Sequence, residues 1–203
     1  MYQTKLLAEM EIIAQMGAEQ ASSALSRFLG VSISLTVSDV SIQEICVIPE
    51  KLGSSEFPSI GLISRITGDI NGNSALLFDL ADAEEIITIL SGRLGLKGKE
   101  KLQSMQTSML EETANITISS FMNSMTAHLN KKCIPNAPIY LKDLSGTIIS
   151  LLLIENAEAS DIAIVFSTTF NCLDGNLKAL FIFLPNPTSL MILQEDLSDA
   201  LNK

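Results

Sequence analysis

The sequence predicts an α+β fold built by internal duplication. Two repeats are related by a pseudo-twofold axis, their antiparallel strands merge into one shared sheet, and two long helices pack together on one side of it. Three observations carry this reading. Residues 7–29 (LAEMEIIAQMGAEQASSALSRFL) lie without a gap on residues 107–129 at an offset of 100, with Glu11 on Glu111, Ala14 on Ala114 and Leu29 on Leu129; self-similarity at a fixed spacing marks a repeated structural unit. The order helix, strands, hairpin, helix can be read twice along the chain. The 203 residues are 47% hydrophobic and 18% charged, a composition that builds a core rather than a disordered chain. Residues 1–92 are assigned to the first repeat, 93–100 to a linker and 101–203 to the second repeat of a single domain.

In the first repeat, Lys5–Leu29 has helical periodicity and good helix formers and meets Gly30, a common stop. Val31–Ile48 alternates apolar and polar residues with β-branched enrichment and reads as one or two strands. Lys51–Ser59 holds Gly53, Ser54, Ser55 and Pro58 and reads as a loop. Ile60–Asp69 and Ser74–Phe78 flank Asn71-Gly72, a dipeptide suited to the positive φ angles of a tight hairpin. Asp82 is placed to cap a helix from Ala83 to Leu90 that stops at Gly92. The lysines and glycines of Arg93–Lys101 (RLGLKGKEK) form the linker.

The second repeat opens on the stretch Leu102–Pro138, read as one long helix, a turn and the start of a strand. Strands are expected at Ile139–Leu141 and Thr147–Asn156 about a Ser145-Gly146 turn, then at Ile162–Thr169 and Leu177–Leu184 about Asp174-Gly175. Pro185 and Pro187 end the last strand, and Thr188–Leu201 reads as a helix.

Composition excludes several functions. A net charge of -10 opposes nucleic-acid binding, which needs clustered Lys and Arg. The longest apolar run, near Ile148–Ile154, falls far short of the roughly 18 residues that span a bilayer. The N-terminus lacks the pattern of a secretory signal, so a cytoplasmic location is expected. Cys46, Cys133 and Cys172 have no close spacing, and His128 is the single histidine. No metal site is expected from such a set, and no second histidine exists to activate a serine or cysteine nucleophile.

One constellation stands out. Ser108, Glu112 and Asn115 fall at i, i+4 and i+7 and share one helical face, roughly 10 Å long at 1.5 Å rise per residue. The helical wheel places Met109, Ile116 and Met122 in the core instead. Ser108, Glu112 and Asn115, followed by Pro138 after twenty-two intervening residues, resemble the signature of the CheC family of chemotaxis phosphatases, which includes CheX and the phosphatase part of FliY. Asn115–Thr126 (NITISSFMNSMT) is similar to that family's second active-site helix, with Ser120 and Asn123 in the expected places. Met16–Ser26 (MGAEQASSALS) resembles its first repeat. At the offset of 100 the motif positions become Ala8, Ile12, Gln15 and Ser38, so the first site reads as degenerate and a single active site is expected.

The resemblance implies a phosphatase acting on a phospho-aspartate response regulator of the CheY type. In it Asn115 holds the attacking water in line and Glu112 meets the regulator's active-site lysine. Mg²⁺ resides on the regulator, so no cofactor of its own is expected. Ser108 supports Glu112 or contacts the regulator, and Pro138 is structural, suited to the start of a strand. The alternative is a non-catalytic adaptor that binds phosphorylated CheY or the receptor deamidase CheD.

Overall fold

The structure, a computed structural model, describes residues 2–51, 53–93, 99–154, 161–172 and 175–199. The first half runs α1 (Tyr2–Leu29), β1 (Ser34–Glu44), a single 3-10 turn (Ile45–Val47), α2 (Ile48–Lys51), β2 (Pro58–Gly68), β3 (Gly72–Asp79) and α3 (Leu80–Arg93). The second runs α4 (Lys99–Leu129), β4 (Cys133–Pro135), β5 (Ile139–Leu144), α5 (Ser145–Ile154), β6 (Ile162–Cys172), β7 (Gly175–Pro185) and α6 (Pro187–Asp199).

Among the described residues, seven strands join one antiparallel sheet in the order β1-β6-β7-β3-β2, with β4 and β5 both pairing to β2 at the far edge. This order is a palindrome of the two halves. The hairpins β2–β3 and β6–β7 meet at the centre, and each half sends its first strand across to flank the other half's hairpin. Neither half can close its own sheet, which ties the halves into one cooperative unit.

The offset of 100 survives in atomic detail. Gly30 (φ 67) and Asn130 (φ 53) both take the left-handed conformation that ends α1 and α4, as C-terminal caps require. Ser26 Oγ accepts the Ile33 N–H at 3.0 Å, and Thr126 Oγ1 accepts the Cys133 N–H at 3.0 Å. Each hydroxyl fixes the turn from a long helix into an edge strand.

Helices α1 and α4 pack antiparallel on one face of the sheet, with α3 beside α4 and α6 beside α1. Their crossing is close because Gly17 lacks a side chain: a Cβ there would lie 3.0 Å from Phe121 Cα. Phe121 drives into the sheet between Phe166 and Phe181, with ring centroids 5.5 and 4.6 Å away. Such aromatic contacts add to the burial of their area.

The opposite face departs from expectation. Thr147–Asn156, read as a strand after a Ser145-Gly146 turn, belongs instead to helix α5 as far as Ile154, the last residue described there. A short β-branched apolar run fits either element by pattern; tertiary contacts decide here. Ile148, Ile149 and Leu152 bury against β2 and β3, where the absent side chain of Gly61 admits Ile148. The loop 53–57 crosses over to hold the start of this helix: Ser145 N–H donates to Phe57 O at 2.9 Å and Gly146 N–H to Ser55 O at 2.9 Å.

Smaller differences have similar causes. Val31–Ile48 gives one strand and then turns into the 3-10 turn and α2. The positive φ of the first hairpin lies at Gly68 (φ 131), while Gly72 sits inside β3, where a Cβ would strike Leu184 O. Asp79, rather than Asp82, caps α3, its carboxylate accepting the Asp82 N–H at 2.7 Å. Asp82 instead accepts the Lys178 N–H at 3.1 Å. Helix α3 runs past Gly92 to Arg93, and α4 begins at Lys99, within the expected linker; residues 94–98, and 173–174 of the second hairpin, lie outside the described residues.

Candidate functional site

Helix α4 rises from the sheet with its buried arc formed by Leu110, Ala114, Thr117, Ile118, Phe121 and Met125. The opposite arc holds Ser108, Glu112 and Asn115: Ser108 and Glu112 are exposed, and Asn115 is half-buried. Met109 and Met122 are buried and Ile116 packs at the core's margin, so the helix has the rotation its apolar pattern demands. Among the described residues none of the three polar side chains makes a hydrogen bond or ion pair. A carboxylate and a primary amide, one turn apart on a rigid helix, are therefore available to an incoming molecule.

Under the stripe, two inward hydroxyls are satisfied within α4 itself. Thr117 Oγ1 donates to Thr113 O at 2.8 Å and Ser120 Oγ to Ile116 O at 2.8 Å. Ser120 is thus turned inward, while Asn123 remains exposed. Near the helix end, His128 Nε2 lies 2.5 Å from Glu9 Oε2, joining α4 to α1 and occupying the histidine structurally.

Pro138 lies at the sheet edge and is buried. It does not begin β5 but precedes it, in a bulge where residues 136–138 stand opposite Ser64 and Arg65 of β2. A proline fits there because an edge bulge does not need its missing N–H. Ser64 Oγ donates to Asn136 O at 2.6 Å and Asn136 N–H to Arg65 O at 2.9 Å, pinning the bulge. Both β4 and β5 pack against α4, so this edge borders the helix that carries the stripe. Beyond it Tyr140 faces Glu84 of α3, and burial first, then that carboxylate, raises its phenol pKa. Lys142 answers Glu84 from 3.9 Å.

The equivalent positions on the first half are all exposed: Ala8, Ile12, Gln15 and Ser38. Ser38 occupies the same bulge in β1, between Val37 and Asp39. The geometry of the face is thus repeated while its chemistry is not. Ile12, standing where Glu112 stands, is 45% exposed.

Sequence reasoning had no means of finding the edge bulge shared by Ser38 and Pro138, because a bulge is a property of register. Among the described residues no cluster of three or more His, Cys, Asp or Glu side chains is placed to hold a metal, and no helix is long and apolar enough to cross a membrane.

No family model matches the sequence. The chain is 24% identical over 177 residues to the CheY-P phosphatase CheC of Bacillus subtilis (strain 168), an alignment covering 86% of this chain and 85% of that protein. Its fold matches the crystal structure of FliY from Thermotoga maritima with a TM-score of 0.66 at 18% identity, covering 95% of this chain and 96% of the other. It matches the FliM middle domain from Vibrio alginolyticus with a TM-score of 0.62 at 11% identity, covering 93% and 99%.

Proposed function

We propose that the chain is a CheC/CheX/FliY-type family member that hydrolyses the phospho-aspartate of a CheY-type response regulator in chemotaxis signalling. The observation that carries this reading is the unengaged Glu112 and Asn115 pair on the outward arc of α4. In the reaction, Asn115 holds a water in line with the phosphoryl group and Glu112 contacts the regulator's active-site lysine. The water oxygen bonds to phosphorus as the bond to the aspartyl oxygen breaks, leaving a free carboxylate and inorganic phosphate. The regulator's Mg²⁺ and lysine neutralise the equatorial oxygens, so the enzyme contributes positioning. Phosphoryl transfer through a loose transition state asks for little more.

In this reading Ser108, one turn before Glu112, orients its carboxylate or touches the regulator, and Pro138 holds the bordering edge. The domain works as two repeats, one active (101–203) and one degenerate (1–92). The test is the decay of the phosphorylated regulator with and without the protein. Replacing Asn115 by alanine should lower the stimulated rate at least roughly tenfold, each factor of ten corresponding to about 1.4 kcal/mol. The fold should persist, since the half-buried Asn115 side chain makes no hydrogen bond that its removal would break, and substitutions outside the core and its networks shift stability by about 0.5 kcal/mol or less.

The exposed Ile12 favours a second reading, an adaptor that captures the phosphorylated regulator, or CheD, without hydrolysis. Binding with unchanged decay would select it over the phosphatase.

A further inference from the structure

The polar stripe of α4 extends one member beyond Asn115. Ser119 falls at i+4 from Asn115 and i+7 from Glu112, on the same helical face, and is half-buried as Asn115 is. The hydroxyls of Thr117 and Ser120 on either side of it are bound to helix carbonyls. Among the described residues the Ser119 hydroxyl makes no hydrogen bond, so it faces outward with the stripe. Residues four apart on a helix have Cβ atoms roughly 5–6 Å apart, and helical side chains lean toward the N-terminus. Ser119 therefore leans toward Asn115, whereas Glu112 leans away from it.

The repeat supplies a comparison within one chain. At the offset of 100, Ser108, Glu112, Asn115 and Ser119 become Ala8, Ile12, Gln15 and Glu19, all four of them exposed. Each set holds one carboxylate, but on opposite sides of the amide. In the second half it precedes Asn115, at Glu112; in the first half it follows Gln15, at Glu19. Glu11 and Glu111 occupy the same place in both halves and do not distinguish them.

A phosphoryl group on a protein carries about two negative charges at neutral pH, and a carboxylate one helical turn away repels it. In the phosphatase reading Glu112 has a cation to meet, the regulator's lysine. A carboxylate at position 119 would have none of its own on this helix, since no Lys or Arg occurs between Gln106 and Leu129.

We propose that Ser119 is a specificity-determining residue of this site: its neutral side chain admits the phosphoryl group beside Asn115, whereas a carboxylate in its place, as at Glu19, excludes the phosphorylated regulator. The inference rests on the phosphatase reading and deepens it. The first half is then closed to the phosphoryl group twice, by the loss of a carboxylate at Ile12 and by the gain of one at Glu19.

The test is the decay of a phosphorylated CheY-type regulator from the same organism, over a range of regulator concentrations, with the wild type, Ser119→Glu and Ser119→Gln at low and at high salt. Ser119→Glu should lower kcat/KM at least roughly tenfold at low salt, and high salt, which screens exposed charges, should narrow its gap to the wild type. Ser119→Gln has the length of glutamate without the charge and should recover most of the loss. If Ser119→Glu loses its helical circular dichroism, Ser119→Asp takes its place in the same assays. A folded carboxylate variant that matches the wild type overturns the inference and leaves the phosphatase reading standing. So does Ser119→Gln falling as far as Ser119→Glu, because bulk rather than charge would then be the cause. A wild type that does not accelerate decay overturns both.

Discussion

Thr113 sits on α4 between Glu112 and Asn115 in sequence but faces inward, 2% exposed, and its hydroxyl has no partner. It lines a small apolar cavity with Leu25, Leu29, Ile86, Phe170 and Leu177. The equivalent residue of α1 is Ile13, fully buried, so the repeat itself shows what the position accepts. Thr113→Val keeps the shape and removes the hydroxyl. Leaving a buried hydroxyl unsatisfied costs about 1–3 kcal/mol, so the variant should gain a stability of that order. For a chain of about 150–250 residues each kcal/mol moves the melting midpoint by roughly 2–4 °C. Thr113→Ile should add to this by filling the cavity, at about 0.8 kcal/mol per buried methylene. Thermal melts and urea titrations at unchanged m-value provide the assay. On the proposed function both variants should leave the stimulated decay of the regulator unchanged, because Glu112 and Asn115 project from the opposite arc. A lower midpoint for Thr113→Val would refute the reasoning, since it would mean that the hydroxyl finds a bond in solution and stabilises the helix crossing.

Other predictions follow from the same packing. Gly17→Ala should destabilise by about 1–3 kcal/mol, the usual cost of overpacking, because its Cβ meets Phe121 backbone at 3.0 Å; denaturant titration reads this directly. Glu112→Ala should weaken stimulated decay of the phosphorylated regulator, whereas Gln15→Ala on the degenerate face should leave the rate unchanged. Burial pushes the Cys133 thiol from 9.0 up to about 11. The unfolded thiol ionises first, so the stability this burial contributes is complete below pH 9.0 and is lost as pH rises to about 11. Urea midpoints across that window check the sign, and Cys133→Ala, which cannot ionise, should flatten the slope. At neutral pH a thiol reagent should label the exposed Cys46 well before the buried Cys133.

What the sequence determined by itself is what local chemistry and repetition carry. The offset of 100 located both long helices, and Gly30 marked the stop of the first; that Asn130 ends α4 in the same left-handed conformation is seen only in the structure. The 3.6-residue period fixed the rotation of α4, and with it the outward direction of Ser108, Glu112 and Asn115. The exchange of Glu112 for Ile12 was equally legible. Tertiary structure decided the rest, because the deciding partners are remote in sequence. Residues 147–154 satisfy strand and helix patterns alike, and became a helix because Gly61 leaves room for Ile148 and the loop 53–57 supplies the hydrogen bonds of the helix start. The crossover pairing of β1 with β6 and of β5 with β2 cannot be read from either half alone, since each strand's partner belongs to the other repeat. The bulge that places Ser38 and Pro138 exists only once that pairing sets the register.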